Sequence, residues 1–162
     1  MDCFNENGVL PPGFCEYKLE EVEEYFVKDF KDSQTREMIF DGFKKWLKEL
    51  YKVAVPEEMW VDGSFATSKI NPNDIDVVVF LNYKNFSSEL NGFLSQIGRE
   101  NYCDTYYAIE PNDELGEENG FVINHRNYWR GQFGFDRQDL PKGMIRFNKE
   151  ELNRIKEVIN NV

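Results

Sequence analysis

"VDGSFATSKINPNDIDVVVFL", residues 61–81, is the stretch whose reading decides the fold. Asp74 and Asp76 alternate with Ile75 and Val77, and an apolar run follows to Leu81. On a strand, residues two apart project from one face, so both carboxylates point one way and Ile75 and Val77 the other. A buried strand is therefore expected from about Asp74 to Leu81, with two acids at its mouth. Ahead of it, Asn71-Pro72-Asn73-Asp74 is turn chemistry, and Gly63-Ser64 is a tight turn opening a short helix or loop.

Working outward, an earlier strand is expected at about Glu58–Val61, after Pro56. Leu19, Val22, Phe26 and Phe30 recur at helical steps. A second helix, capped by Asp32 or Ser33, carries Met38, Ile39, Phe43, Trp46, Leu47 and Leu50 on one side. Downstream, residues 85–98 predict a helix with Phe86, Leu90, Phe93, Leu94 and Ile97 inward, ending at Gly98. Residues 102–109 predict a strand, 121–135 a helix, 142–147 a short strand, and 148–161 a last helix capped by Asn148. Residues 1–17, with Gly8, Pro11, Pro12 and Gly13, predict an arm laid over the domain. The sum is one α+β domain over 1–162, a small mixed β-sheet flanked by helices.

The chain has 162 residues and 15% aromatics, a globular composition. No apolar run approaches bilayer length, so no membrane association is expected. The start carries neither a basic nor an apolar leader segment, and a cytoplasmic location is expected. Cys3, Cys15 and Cys103 have no metal-site spacing and are expected to be reduced thiols. His125 is the single histidine, which excludes a multi-histidine metal site within the chain. The net charge of -11 argues against extended nucleic-acid binding. Acidic runs at 16–26 and 110–118 read as solvated faces, while Arg126 to Lys149 is locally basic.

Two neighbouring carboxylates at a partly desolvated strand mouth repel and raise each other's pKa unless a cation lies between them. Mg²⁺ suits such a pair, completing its shell with phosphate oxygens. Gly63 lets backbone approach a ligand, and Ser64 can start a turn whose N–H groups face an anion. A phosphate cradle beside metal-binding carboxylates is the minimum for phosphoryl or nucleotidyl transfer.

"GSFATSKINPNDIDVV" resembles the signature of the DNA-polymerase-β-like nucleotidyltransferase superfamily. "FNENGVLPPG", "NDIDVVV" and "LPKGMIRF" look like small bacterial and phage proteins of nucleotidyltransferase type. The specific motif covers residues 61–79, and the looser likeness covers most of the chain. The resemblance implies that Gly63 and Ser64 hold the triphosphate of an NTP and that Asp74 and Asp76 bind Mg²⁺ (or Mn²⁺). It also implies a third metal-binding and catalytic carboxylate on a later strand, for which Asp104 in "YCDTYY" is the candidate. Lys69 and Lys142 are candidate nucleotide contacts, with Arg146 a further one. Lys142 is equally compatible with a solvent-exposed turn. Asp62 lies outside the signature. His125 and Trp129 have the chemistry to stack on a base, although core packing suits Trp129 better.

Many superfamily members carry a second, helical domain, and too little chain follows the third strand here for one. Acceptor recognition is then expected from the N-terminal helices, the basic C-terminal part or a partner protein. The leading expectation is an Mg²⁺-dependent transfer of NMP to a hydroxyl on a protein or small molecule, in a toxin–antitoxin or phage-defence setting. The alternatives are a tRNA 3′ end as acceptor, and an inactive nucleotidyltransferase fold serving as an antitoxin or regulatory binding module.

Overall fold

The strand predicted after the two aspartates is Ile75–Leu81, and every residue in it except Asp76 is buried. That burial on both faces explains its unbroken apolar run. The computed structural model describes residues 3–110 and 120–160. In chain order the main elements are β1 (Gly13–Glu16), α1 (Leu19–Glu23), α2 (Arg36–Val53), β2 (Glu58–Asp62), β3 (Ile75–Leu81), α3 (Ser88–Glu100), β4 (Cys103–Ile109), α4 (Gly120–Phe133), β5 (Gly143–Phe147) and α5 (Lys149–Asn160). A wider helical turn, Glu24–Lys28, continues α1.

The five strands form one open mixed sheet in the order β1-β5-β2-β3-β4. β2 is antiparallel to both β3 and β5, whereas β4 is parallel to β3 and β1 to β5. The parallel β3–β4 pair requires a crossover, and α3 supplies it. Among the described residues no helix is long and apolar enough to cross a membrane.

Strand alternation divides the sheet into two unlike faces. Met59, Val61, Ile75, Val77, Val79, Leu81, Cys103, Ile145 and Phe147 face a large apolar core, with α2, α3 and α5 contributing Phe43, Trp46, Leu47, Leu94 and Leu152. Each such fully buried large side chain contributes about 1.5–3 kcal/mol by its removal from water. The opposite face holds a smaller cluster of Trp60, Val78, Phe80, Ala108 and Met144, against which α4 packs Phe133 and Trp129. Beyond that cluster the same face becomes acidic.

Caps fix several boundaries. Ser87 accepts the backbone N–H of Leu90, and Asn148 accepts that of Glu151 at 2.9 Å. Ser33 accepts the backbone N–H groups of Thr35 and Arg36, although regular helix begins only at Arg36.

The N-terminal segment departs from the expected arm. Gly13–Glu16 is an edge strand aligned with Gly143–Arg146, and Leu10 is fully buried. Short β-strands in a Pro- and Gly-rich context lack readable periodicity, and only the exposed edge of β5 gives this one its partner. Met38 and Phe93, expected inward, are 45% and 54% exposed. Each lies just off the buried stripe of its helix. The acidic run 110–118 lies, apart from Glu110, outside the described residues.

Candidate functional site

The acidic end of the second face is assembled by strand register. Asp62 on β2 pairs with Asp76 on β3, which pairs in turn with Asp104 on β4. Paired residues leave a sheet on the same face, so three carboxylates form one row across three strands. Asp74, one residue before β3, points the same way as Asp76. The next row inward is Trp60, Val78 and Tyr106. The row after that begins with Glu58, whose carboxylate holds Arg126 of α4 at 3.0 Å. Arg126 also pairs with Glu110 at 2.8 Å and lies over the Trp60 and Phe80 rings.

A cavity of about 780 Å³ opens on the acidic end. One wall is Asp62, Gly63, Ser64, Thr67, Lys69, Asp74, Asp76 and Lys142, and the facing wall comes from α4 and the loop after it. Its size is within the range of small-molecule and cofactor sites. A second hollow of about 450 Å³ beside α2 is lined by Gln34, Glu37, Asp41, Lys45, Glu100 and Asn101, and none of the aspartates paired across the sheet lines it.

Two features favour glycine at position 63. Its φ of 75° with ψ of -165° is backbone territory that side-chain-bearing residues rarely enter. A Cβ there would also lie 1.9 Å from Asp76 Oδ2. The space the sequence assigned to a ligand's approach is thus partly filled by the Asp76 carboxylate itself. After Gly63 the chain makes a single tight turn, Ser64–Ala66, rather than a longer helix. Thr67 Oγ1 closes it by donating to the Ser64 carbonyl at 2.8 Å.

The residues between the Gly-Ser turn and Asp74 are held from the start of α2. Arg36 is fully buried. Its Nε donates to the Lys69 carbonyl at 3.2 Å, Nη1 to Phe26 at 2.7 Å and Phe65 at 2.8 Å, and Nη2 to Thr67 at 2.7 Å and Lys69 at 2.6 Å. All five guanidinium N–H groups are thereby satisfied by main-chain carbonyls. The guanidinium also lies 3.7 Å from the centre of the Phe30 ring. Burial lowers its pKa to about 10, so it stays charged at neutral pH. Two residues earlier, the Gln34 N–H donates to Asn71 Oδ1 at 2.8 Å, and the Thr35 hydroxyl donates to the Pro72 carbonyl at 2.8 Å. Phe65 anchors the same loop, stacked between Phe26 and Phe40.

Electrostatics separate the acids. Asp62 is buried and ion-paired with the buried Lys142. Burial raises the Asp62 pKa, while the Lys142 ammonium and the Gly63 N–H pull against it. Asp76 is pushed up to about 6, first by burial and then by Asp74, Asp62 and Asp104, with Lys142 opposing. Asp74 is raised by burial and by Asp104, with Lys69 opposing. Asp76 and Asp74 therefore carry mutual repulsion that the two lysines only partly offset.

The sequence candidates are accordingly distributed. Gly63, Ser64, Lys69, Asp74, Asp76 and Lys142 all line one cavity. Asp104 is half-buried in the row beside Asp76 and acts on both neighbouring aspartates, but it does not line the cavity wall. Lys142 is neither solvent-exposed nor unengaged, since Asp62 holds it. Arg146 pairs with Glu16 and is not in the lining. Lys149 likewise pairs with Glu57 at 2.9 Å, so much of the basic stretch neutralises acids of the chain itself. His125 is half-buried on α4 and does not line the cavity. Among the described residues no three His, Cys, Asp or Glu side chains are already placed as a metal cage.

Sequence reasoning overlooked Arg36 and undervalued Asp62. Arg36 had a signal: it stands three, four and seven residues before Ile39, Phe40 and Phe43, on the buried stripe of α2. A charge on that stripe is buried with partners or not at all. Asp62 had none, because its neighbours come from a register no local pattern encodes.

A protein family of unknown function, DUF6932, matches residues 3–148. No curated protein and no solved structure matches the chain.

Proposed function

The chain belongs to the DUF6932 family, and we propose that it is a nucleotidyltransferase that moves an NMP group from an NTP to a hydroxyl acceptor. The observation that carries this reading is the convergence of Asp74 and Asp76 with the Gly63-Ser64 turn on one cavity, beside Asp104. The donor set fits Mg²⁺ or Mn²⁺: hard oxygens, two at the cavity wall, raised in pKa first by burial and then by neighbouring carboxylates, and so favoured by a cation. Such an ion, when bound, neutralises charge on the transferred phosphorus centre and its leaving group.

The chain's own residues do the rest. Asp74 and Asp76 hold the ion. The turn at Gly63 and the hydroxyl of Ser64 receive the phosphates, with Lys69 at the cavity edge. Lys142 remains oriented by Asp62 and lends positive charge without leaving its partner. The acceptor hydroxyl gives up its proton to solvent as its oxygen bonds to the α-phosphorus, and Asp104, beside Asp76 but outside the cavity lining, raises the basicity of the two aspartates that hold the ion. The bond from that phosphorus to the bridging oxygen breaks, and pyrophosphate leaves. Arg36 touches none of the reacting groups and is a positioning residue for the loop. Nucleotidyl transfer relies on such positioning and charge complementarity.

The test uses ATP, CTP, GTP and UTP labelled at the α- or γ-phosphate, incubated with host lysate and Mg²⁺ or Mn²⁺. Label from the α-phosphate should enter protein or a small molecule, label from the γ-phosphate should not, and Asp74→Asn with Asp76→Asn should abolish transfer. Transfer of the γ-label, or α-label transfer that survives the double substitution, would sink the reading. Label found on tRNA instead would keep the reaction and change the acceptor.

A further inference from the structure

We infer that the wall of the cavity opposite the carboxylates is a nucleobase seat, formed by Tyr128 and Phe135 around Trp129. This rests on the nucleotidyltransferase reading and assigns the other end of its substrate. The cavity is chemically two-ended. Gly63, Ser64 and Lys69 line it together with Tyr128 and Trp129 of α4 and Phe135 of the following loop, while Tyr106 lies on the sheet in the row next to the aspartates. A ligand that fills it therefore joins an anionic tail to a flat, apolar-faced ring.

Tyr128 is 57% exposed and Phe135 is 46% exposed, and both line the cavity. Single exposed aromatics are unremarkable on a protein surface. Several lining one polar cavity are a patch that marks a binding surface. Trp129 belongs partly to the fold: its ring packs on Tyr106 at 4.7 Å and Phe133 at 5.5 Å. Tyr128 meets Trp129 edge-on at 5.0 Å, with an interplanar angle of 82°. The wall thus has a supported centre, while Tyr128 keeps much of its ring surface open.

The backbone at Phe135 is also held in place, although it sits in a loop. It bridges Pro141, the Asp136 N–H donates to the Leu140 carbonyl at 2.9 Å, and the Asp136 carboxylate accepts the N–H groups of Gln138 and Leu140. The Lys142 N–H then donates to the Gly134 carbonyl at 2.9 Å, tying the loop to the residue just before β5 that pairs with Asp62. One closed loop therefore carries the backbone of both Phe135 and Lys142. Gln132 and Arg137 line the same side and offer hydrogen-bonding groups to a base edge. Stacking tolerates every base, so these rings supply affinity and the polar pair supplies preference. The helix α4 and its loop thus supply base recognition from within the fold.

The experiment measures binding of the Mg²⁺ complexes of the four non-hydrolysable α,β-methylene NTPs, and of Mg²⁺-tripolyphosphate, by titration calorimetry. The proteins are the full chain and its Tyr128→Ala, Phe135→Ala and Tyr128→Phe variants, whose altered side chains are exposed. Each alanine variant should bind its preferred nucleotide about tenfold more weakly. Tripolyphosphate binding should be unchanged in all variants, and Tyr128→Phe should match the wild type for every probe. Alanine variants that bind nucleotide like the wild type, or that lose tripolyphosphate equally, would overturn the base seat. Wild-type protein that binds tripolyphosphate as tightly as any nucleotide would overturn the seat and leave the phosphate site standing. Failure of the wild type to bind either probe would remove both readings.

Discussion

The two faces of the sheet obey different rules. On the helical face, strand residues Val61, Val77 and Ile145 are fully buried against α2, α3 and α5, and side-chain size and shape decide everything. On the other face, β2, β3 and β4 carry Asp62, Asp76 and Asp104, and among the described residues one helix covers only the aromatic half. The first face stabilises the protein. The second keeps like charges together at a cost to stability, as sites built for a ligand do. The faces are not independent, because Arg36 reaches from the helical side to fix the loop that borders the acids.

Breaking that link should give the largest effect. Arg36→Ala strands the carbonyls of Phe26, Phe65, Thr67 and Lys69 inside the protein, and orphaned buried acceptors cost about 1–3 kcal/mol each. Denaturant melts should show a loss of about 5 kcal/mol or more. Arg36→Lys should recover only part of it, since one ammonium cannot reach four carbonyls at once. A loss below about 1 kcal/mol would mean that water or loop movement satisfies those carbonyls.

Removing the charge balance within the second face comes next. Lys142→Met leaves Asp62 buried without its cation and should cost about 3–5 kcal/mol. Adding Asp62→Asn to it should restore most of that loss, because the penalty belongs to the lone charge. Equal losses in the single and double variants, measured by chemical denaturation, would show that packing rather than charge pairing matters there.

The smallest effect has the opposite sign and sharpens the contrast most. Asp76 holds its proton up to about pH 6 in the folded protein, against an ordinary value of about 4. The folded state therefore binds the proton more tightly than the unfolded chain. In metal-free protein, the contribution of Asp76 is most favourable below about pH 4, is lost as pH rises through about 6, and stays lost at neutrality. Asp76→Asn should remove this slope and raise stability at pH 7 by about 1–2 kcal/mol, after allowance for solvent at a half-buried site. Thermal melts with a chelator across pH 4–8 read both effects. A variant less stable than wild type at pH 7 would place Asp76 among the structural acids with Asp62.

The elements were legible wherever a local period is strong. β3, α3, β4, β5 and α5 were each expected within a few residues of where they lie, whereas the pattern at α4 was ambiguous and only leaned towards helix. β1 was not, because four residues beside a Pro-Pro-Gly turn carry no period, and only pairing with β5 makes them a strand. Met38 and Phe93 were misassigned to the inside because helical spacing defines a stripe but not its edges.

The sequence by itself determined that Asp74 and Asp76 stand together at the mouth of a buried strand, that Gly63 and Ser64 turn just upstream, and that an α+β sheet carries both. These are consequences of alternation, turn chemistry and the apolar run, all written within 61–81. Only the tertiary structure decided that Asp62 completes the row, that Lys142 is spent on it, that Arg36 pins the loop, and that Tyr128 and Phe135 line the same cavity as Asp62, Asp74 and Asp76. The physical reason is range. Periodicity is set by the backbone geometry of neighbours, whereas register, burial and ion pairing are set by residues far apart in the chain, as Asp62 and Lys142 are, which only folding brings together.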